Sequence, residues 1–297
     1  MVDLYNLGSV NWIESQSLYH ALALLDREGV IICYPDSPYV CLGLHDDLEH
    51  EIDQYFCQEA GIPLLRRETG GGVVYLDRHQ VFYQLVLRRD NPLLPLRRQQ
   101  FYEKLLRPAI SLCRSMGVPV ELKPPADLAV QGRKCSGNAC GDIEGCVAYV
   151  GNLLLEFDFL TMSRILRVPD DNFRRHLHLA MRENMTTLAD WGKQAVDYYD
   201  LASGLIDGFA REIGDLTPCR VDRELKETAE GVGNRLTSPE WLRIPGRRSA
   251  QRKVKIAEGI YLAERISSPR ETSCVLSKDG TEAEITSANF WDRAVTV

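Results

Sequence analysis

The sequence predicts an α+β fold in which mainly antiparallel sheets are flanked by helices, with a small C-terminal α/β domain. Two observations carry this prediction. Short runs rich in Val, Ile, Leu and Tyr are separated by turn-forming Pro, Gly, Asp and Ser, which favours hairpins over regular βαβ units. Longer segments between these runs repeat apolar residues at helical spacing, as amphipathic helices do.

The first part of the chain alternates the two element types. Residues 17–26 place Leu18, Leu22 and Leu25 on one helical face, and Pro35 and Pro38 mark a turn between two strands. Helices are predicted over 17–26, 48–60 and 97–116, and strands over 30–34, 39–44, 73–75 and 81–87.

The rest of the chain is strand-rich over 118–158 and then helical over 160–166, 172–181 and 198–213. Strand-like alternation returns at 252–262, 274–276 and 282–286, the last two around a turn at 278–281. We therefore predict a larger domain over 1–216, a helical connector over 217–236 and a small domain over 237–297.

The composition excludes several classes of protein. The chain has 297 residues, and its net charge of -7 argues against general nucleic-acid binding, which needs a basic face. No signal segment and no apolar run long enough to cross a bilayer is visible. Nine scattered cysteines do not form a secreted disulfide framework. We expect a cytoplasmic protein with no nucleic-acid or membrane partner.

A glycine-rich loop is the first candidate binding element. Three consecutive glycines follow a pair of arginines, and main-chain N–H groups in such a loop bind anions while arginine adds charge suited to phosphate or carboxylate. An ordinary glycine hairpin between two strands is the alternative. The candidate ligand-binding residues are Arg67, Thr69, Gly70, Gly71, Gly72, Val73, Val74 and Tyr75.

Lys134 is the candidate catalytic residue. It follows a Gly132-Arg133 turn and precedes a second small-residue segment, Ser136, Gly137 and Asn138, so it is expected beside the glycine loop. Its ammonium group is suited to bridging a carboxylate and a phosphate, although a solvated surface lysine is the commoner case. Asp127 is expected to hold Mg²⁺ or to orient this lysine, and a turn aspartate is the alternative.

Other chemically reactive side chains are less informative. Cys135, Cys140 and Cys146 lack the paired short spacing of a structural zinc site, and the local sequence supplies no histidine base. We interpret them as thiols without required chemistry. His176 and His178 are interpreted as surface residues, and His79, beside the glycine loop, is the histidine with a possible functional role.

Four segments in this order resemble the lipoate–protein ligases. Residues 66–75, RRETGGGVVY, resemble the RRxSGGGAVYH signature of that family, and DLAV from Asp127 with GRKCSGNA from Gly132 resembles its NDL and GRKISGSA segments. GNLLL from Gly151 and MTTL from Met185 are similar to two further segments, HHGTLLL and VTNL. The resemblance spans about residues 8–215 and implies the biotin/lipoate ligase fold.

The tail resembles the accessory domain of these ligases. Residues 252–264 and 276–286 are similar to the separately encoded small subunit of two-part ligases, here fused to the larger domain. That subunit usually has a Pro-Gly-Gly-Leu turn, where this chain has Ser268-Pro269-Arg270-Glu271-Thr272.

The resemblance implies a two-step reaction with ATP, Mg²⁺ and lipoate or octanoate. An acyl-adenylate forms, and the acyl group then passes to a lysine of a lipoyl-domain or H-protein-like acceptor. Lys134 would contact carboxyl and phosphate oxygens, and Asp127 would position Mg²⁺ or the acceptor lysine. Arg67 and Gly70 to Gly72 would border the adenylate, Val73 and Val74 would line an acyl tunnel, and Ser136, Gly137, Asn138, Gly151 and Asn152 would complete the site.

Three departures from the family pattern bear on function. Leu76, Ala126 and the pair Tyr149-Val150 stand where the family has histidine, asparagine and two histidines, which suggests an unusual acceptor protein. One alternative is an octanoyltransferase or amidotransferase of the same fold that uses a Cys or a Lys without ATP. Another is a non-catalytic lipoate-binding protein, and a biotin ligase is a weaker rival.

Overall fold

The computed structural model of the protein describes residues 2–94, 98–192, 196–268 and 271–285. Its strands are β1 (Val2–Val10), β2 (Gly29–Pro35), β3 (Tyr39–Leu42), β4 (Leu64–Arg66), β5 (Val74–Leu76), β6 (Gln80–Arg88), β7 (Glu121–Lys123), β8 (Asp127–Val130), β9 (Arg133–Ser136), β10 (Asn138–Ile143), β11 (Cys146–Leu154), β12 (Leu216–Pro218), β13 (Lys253–Ala257), β14 (Ile260–Ser268), β15 (Glu271–Lys278) and β16 (Thr281–Ile285). Its helices are α1 (Glu14–Leu24), α2 (Leu48–Glu51), α3 (Gln54–Glu59), α4 (Arg98–Ser115), α5 (Phe159–Ile165), α6 (Asp171–Asn184), α7 (Tyr198–Ile213), α8 (Arg223–Thr237) and α9 (Pro239–Leu242), with a 3-10 helix at Ala189–Trp191.

A six-stranded sheet in the order β10-β11-β6-β2-β1-β12 forms the centre of the molecule. Alternate residues of a strand point to opposite faces, and β6 is buried on both. Tyr83 and Leu85 pack in the core that contains α4 and α7, whereas Phe82 and Val86 pack in the core that contains α1 and α8. Most strand pairs are antiparallel, and helices cover both faces, so the predicted α+β class is confirmed.

Three smaller sheets surround the central one. Their orders are β4-β3-β5, β7-β8-β9 and β13-β14-β15-β16, and the last of these is antiparallel throughout. The C-terminal sheet buries Val254 and Leu262 in a third core together with Leu42 of β3 and Met181 of α6. The connector predicted over 217–236 contains most of α8, which packs against α1; the domain division itself stays a prediction.

Several local expectations differ from the structure. The single helix predicted over 48–60 is wrong: Ile52 is extended, and the Asp53 carboxylate accepts a hydrogen bond from the N–H of Phe56 and begins a second helix. Strand β1 was not predicted, and His176 is buried instead of lying on the surface. Arg97 and Thr286, at the ends of a predicted helix and a predicted strand, lie outside the described residues, as do Pro269 and Arg270 of the segment compared with the Pro-Gly-Gly-Leu turn.

Arg66 joins the glycine-loop region to the chain that leads into the C-terminal sheet. Its side chain is fully buried at the end of β4. One terminal nitrogen donates to the main-chain oxygens of Leu44 and Asp46 at 3.1 and 2.6 Å, and the other donates to Leu242 O at 2.6 Å. Because buried carbonyl groups need donors, this guanidinium fixes the position of the C-terminal end of α9.

Ion pairs also connect α2 to the segment that leads into the C-terminal sheet. Acidic residues stand at every second position from the N-cap of α2 to its end: Asp47, Glu49 and Glu51. The basic segment before β13 faces them. Arg248 contacts Asp47 and Glu49 at 2.8 and 3.0 Å, and Arg252 contacts Glu51 at 2.8 Å. No helix in the described parts of the chain is long and apolar enough to cross a membrane.

Replacing Arg66 with Met should destabilise the protein strongly, because the buried carbonyl oxygens that it satisfies lose their donor. We expect the free energy of unfolding to fall by about 3 kcal/mol or more, as measured by urea denaturation at neutral pH. The exposed Arg243 provides a matched control, and Arg243→Met should leave the unfolding midpoint nearly unchanged. Equal midpoints for the two variants would contradict the structural role of Arg66.

Candidate active site

One cavity brings most of the predicted site residues together. It has a volume of about 390 Å³ and lies between the glycine loop, β8, β9, β11, α6 and β13. The predicted residues that line it are Arg67, Gly71, Gly72, Val73, Val74, Tyr75, Asp127, Lys134, Gly137, Asn138, Gly151 and Asn152. The departures Leu76 and Ala126 also line it, as does Val150. The roles of these residues stay predictions.

Three predicted binding residues lie behind the cavity wall. Thr69 is fully buried, and its side chain packs against Gly141 of β10. The carbonyl oxygen of Gly70 accepts a hydrogen bond from Arg67 at 2.8 Å. The Ser136 hydroxyl is buried 3.1 Å from the hydroxyl of Tyr83. These residues support the lining and do not form it.

The glycine loop is a crossover between strands that are not neighbours. It leads from β4 to β5, and β3 lies between those two strands, so the hairpin alternative does not apply. Gly71 has φ of +98°, and a Cβ atom there would lie 2.8 Å from the guanidinium of Arg67. A Cβ on Gly43, at the end of β3, would lie 2.1 Å from the carbonyl oxygen of Gly71. Glycine is therefore required on both sides of this close approach.

Arg67 shapes this loop from inside. Its guanidinium donates to the carbonyl oxygens of Gly70 and Gly72 at 2.8 and 3.0 Å and to that of Cys41 at 3.2 Å. Nε also reaches Gly70 O, and Nη1 reaches the Cys41 sulfur at 3.5 Å. All five N–H donors of the side chain are thus directed at protein acceptors. In this arrangement Arg67 positions the loop and has no donor left for a ligand.

His20, on α1, holds the segment just before the glycines. Its Nε2 accepts the main-chain N–H of Glu68 at 3.2 Å, and its Nδ1 lies 2.7 Å from the carbonyl oxygen of Gln16. Burial is the main cause that lowers the pKa of His20 from 6.5 to about 3; the cations Arg235 and Arg67 contribute in the same direction, and the hydrogen bond to Gln16 opposes them. A neutral imidazole suits this position because Nε2 must act as an acceptor.

Lys134 and Asp127 form an ion pair inside the cavity. Antiparallel pairing of β8 with β9 brings them together, and Lys134 Nζ lies 2.9 Å from Asp127 Oδ1. The carbonyl oxygen of Lys134 accepts the N–H of Thr186, which fixes the strand from its other side. The Lys134 side chain is 20% exposed and that of Asp127 is 8% exposed, so the pair is shielded yet accessible from the cavity.

The residues present fit a direct metal site poorly. Asp127 Oδ2 accepts the main-chain N–H of Glu258 at 2.8 Å, so both oxygens of this carboxylate already have partners. In the described segments no group of three or more His, Cys, Asp or Glu side chains is arranged to hold a metal ion. The arrangement favours Asp127 as the partner of Lys134 over a Mg²⁺ ligand.

Asn138 and Asn152 fix the backbone around Lys134. Asn138 donates to the carbonyl oxygen of Ala126 at 2.9 Å and accepts the hydroxyls of Tyr83 and Tyr149, each at 2.9 Å. Asn152 accepts the main-chain N–H of Gly137 at 2.8 Å. Both amides are therefore committed to protein partners that hold β10 and β11 in register.

Apolar side chains form part of the cavity lining, which we call the apolar wall. Its residues come from β11, the following loop, α5, α6 and the segment after α6, and they are Leu154, Phe157, Met162, Leu166, Met181 and Met185. Unbranched methionine side chains adapt to a flexible alkyl chain. Leu154 and Met185 entered the sequence prediction only within family motifs, and the other four were not marked as site residues, because apolar residues at helical spacing do not differ from ordinary core residues.

The C-terminal hairpin supplies a further side of the cavity that was not predicted. Lys253, Lys255 and Glu258, from β13 and the turn after it, line the cavity together with Val254 and Ile256. In the sequence, residues 252–264 resemble only an accessory domain, and no site role was assigned to them. Their place depends on how the C-terminal sheet packs against α6.

The three clustered cysteines do not line this cavity. Burial raises the pKa of Cys135, and burial with the nearby Asp26 raises the pKa of Cys146 to about 11. Cys140 is half-buried on β10, and Cys41 is the lining cysteine among the described residues. His79 lies on the turn before β6, where it pairs with Glu156 at 3.5 Å, and it does not line the cavity.

Comparison with known proteins identifies relatives of two kinds. Residues 9–210 match the model of the lipoyl protein ligase A/B catalytic domain. The octanoyltransferase LipM of Kyrpidia tusciae is 25% identical over 229 residues, which cover 69% of this chain and 83% of the relative. Lipoate-protein ligase A subunit 1 of Thermoplasma acidophilum is 23% identical over 208 residues, covering 67% and 77%.

A solved structure has the same fold. A chain in the structure of the bipartite lipoate protein ligase and its E2 lipoyl domain from Thermoplasma acidophilum superposes with a TM-score of 0.73 at 21% identity. The superposition covers 84% of this chain and 98% of that chain.

The buried His20 should make stability depend on pH. The unfolded chain takes up a proton near pH 6.5, whereas the folded protein does so only near pH 3, so stability is present above the unfolded pKa and falls as the pH drops. When the pH is lowered from about 7.5 to about 5.5, the free energy of unfolding of the wild type should fall by about 1.4 kcal/mol more than that of His20→Gln. Urea denaturation of both proteins at these two pH values measures the difference. Identical losses would show that His20 does not carry this dependence.

Proposed function

Because the chain belongs to the lipoyl protein ligase A/B catalytic domain family, we propose that it is an ATP-dependent lipoate–protein ligase. It activates lipoate or octanoate and transfers the acyl group to a lysine of an acceptor protein. The observation that carries the proposal is the Lys134–Asp127 pair, which lies in the same cavity as an apolar wall suited to an alkyl chain.

The reaction has two substitutions. In the first, a carboxylate oxygen of the fatty acid attacks the α-phosphorus of ATP, an O–P bond forms, and the bond to the departing pyrophosphate breaks. In the second, the neutral amine of the acceptor lysine attacks the acyl carbon. The C–N bond forms, AMP leaves with the C–O electron pair, and the amine loses a proton. Both transition states concentrate negative charge on oxygen atoms, which a fixed cation stabilises.

Lys134 supplies that cation. Its ammonium group faces the cavity, and Asp127 holds it in place while the N–H of Glu258 binds the second carboxylate oxygen. Preorganisation matters because a lysine side chain that is already oriented needs no reorganisation during the reaction. Arg67 acts as a positioning residue for the glycine loop, whose main chain borders the adenylate. No step requires a metal ligand from the protein.

The apolar wall is the part of the cavity that we propose binds the alkyl chain of the acyl substrate. Leu154, Met162, Met181 and Met185 are among the apolar side chains that line the cavity. Burial of an alkyl chain contributes about 0.8 kcal/mol per methylene, enough to select a medium-chain acid over a short one. Lipoate and octanoate are both medium-chain acids, so the apolar wall can bind either of them.

The acceptor is proposed to be a lipoyl-domain or H-protein-like protein in the cytoplasm. The related Thermoplasma acidophilum ligase is described together with its E2 lipoyl domain, which supports this class of partner. The departures Leu76 and Ala126 lie in the cavity lining, and Tyr149 binds Asn138 from behind it. That these departures select an unusual acceptor stays a prediction.

An octanoyltransferase that works without ATP is the second candidate, favoured by the name of the Kyrpidia tusciae relative. Such an enzyme would need a reactive thiolate or an acylated lysine. The raised pKa values of Cys135 and Cys146 and their burial outside the cavity oppose the thiolate route at those positions. Cys41 lines the cavity, but burial raises the pKa of its thiol too.

Lipoate-dependent release of pyrophosphate from ATP tests the proposal directly. Lys134→Ala should lower kcat by about 10²- to 10³-fold, because it removes the cation from the developing charge. Asp127→Asn should lower kcat less, since the lysine remains but is no longer held by a carboxylate. Acyl transfer from an octanoyl carrier protein without pyrophosphate release would instead support the transferase, and lipoate binding without either activity would support a binding protein.

Single Ser replacements of Cys41, Cys135, Cys140 and Cys146 separate the two enzymes further. A ligase should keep ATP-dependent acylation in every variant once the rates are corrected for folded protein, because no thiol takes part. A cysteine-dependent transferase should lose its acyl-enzyme completely in one variant, as seen by intact-protein mass spectrometry after incubation with the acyl donor.

A further inference from the structure

We propose that Lys255, on the hairpin formed by β13 and β14, contacts the terminal phosphates of the nucleotide, and that Glu258 is an internal carboxylate which these phosphates displace. This assignment rests on the ATP-dependent function proposed above and extends it. It gives the C-terminal sheet a direct contact with the substrate, at a position to which the sequence prediction assigned no site role.

The tip of the hairpin is fixed against the catalytic pair. The main-chain N–H of Glu258 donates to Asp127 Oδ2 at 2.8 Å, and Asp127 Oδ1 binds Lys134 at 2.9 Å. Gly259 permits the turn with φ of +72°, and a Cβ there would lie 2.2 Å from the Asp279 carboxylate. The hairpin therefore places Lys255 in the same cavity as Lys134 with little freedom in its backbone.

Among the charged residues that line the cavity, Lys255 is the cation that remains for the terminal phosphates. Among the described residues its charged lining consists of Arg67, Lys134, Lys253, Lys255, Asp46, Glu51, Asp127 and Glu258. Arg67 is directed at main-chain oxygens, and Lys134 is held by Asp127. Lys253 lies over the ring of Tyr261, 4.3 Å from its centroid. Since the chain carries a net charge of -7, a polyphosphate needs such a local cation in order to bind.

The partner of Lys255 is easily replaced. Its ammonium group binds Glu258 at 2.5 Å, three residues along the same hairpin, and their side chains are 46% and 29% exposed. An ion pair with this exposure contributes little to stability because water screens it. A phosphate group offers several strong acceptor oxygens and therefore competes well with a single carboxylate.

Exposure to solvent assigns the two lysines to different phosphates. The Lys134 side chain is 20% exposed, and we place it at the reacting centre, where the fatty-acid carboxylate must meet the α-phosphate. The Lys255 side chain is 46% exposed, more than twice as much, so it is more open to solvent. The β- and γ-phosphates leave together as pyrophosphate, so in this proposal they extend from the reacting centre towards solvent and thus towards Lys255.

Isothermal titration calorimetry of the full-length chain with ATP and with AMP, both with MgCl₂, tests the assignment. Lys255→Ala should raise the Kd for ATP about tenfold and change the Kd for AMP by less than about twofold, because only ATP has the terminal phosphates. Lys255→Arg should restore most of the affinity. Glu258→Gln should change the Kd for ATP in the opposite direction, to a lower value, since it removes both a competitor and a repelling charge.

Lys278 provides a matched control. It is exposed on β15 of the same sheet and is not part of the cavity lining, so Lys278→Ala should bind both nucleotides like the wild type. An unchanged Kd for ATP in Lys255→Ala, an equal change for AMP, or no ATP binding by the wild type would overturn the proposal. If ATP binding depends on Lys255 but lipoate releases no pyrophosphate, the proposed function fails and the phosphate contact stands.

Discussion

Two consecutive buried arginines control the geometry on which the site depends. Neighbouring residues of an extended chain point in opposite directions, so Arg66 and Arg67 serve different parts of the molecule. Arg67 donates hydrogen bonds to carbonyl oxygens of the glycine loop, and Arg66 donates to a carbonyl oxygen of the segment that leads to the C-terminal sheet. Because each buried carbonyl needs a donor, the loop and the sheet hold their positions relative to the same pair of residues. The cavity lies between them.

The cavity combines features that each require a different part of the fold. Lys134 and Asp127 come from adjacent strands, the apolar wall comes mainly from α5 and α6, and Lys255 comes from the C-terminal hairpin. Shielding by these parts lowers the local dielectric constant, which strengthens the interaction of a lysine with developing negative charge. The shared core beneath the cavity, with Met181 and Val254 in contact with the same cluster, couples the C-terminal sheet to the acyl-binding wall.

Several residues that the sequence marked as ligand contacts instead organise their neighbours. Asn138 and Asn152 reach the cavity, yet their amides bind protein groups that hold Tyr83, Tyr149 and the main chain of Gly137. The main-chain oxygen of Gly70 is used by Arg67, and Thr69 packs behind the loop. In a motif of this kind, residue identity reflects the need to fix a backbone near the ligand as much as contact with the ligand itself.

The sequence by itself determined the α+β class, most element positions and the residues of the glycine loop and of the Lys134 segment, since periodicity and local motifs carry that information. It also indicated the family. Only the tertiary structure decided that Arg67 has no free donor, that 48–60 forms two helices and that Lys255 reaches the cavity. These outcomes depend on partners distant in sequence, such as Ile165 for the Asp53 helix start and Asp127 for the hairpin tip. A local pattern cannot specify them, because long-range packing and hydrogen bonding select the partner.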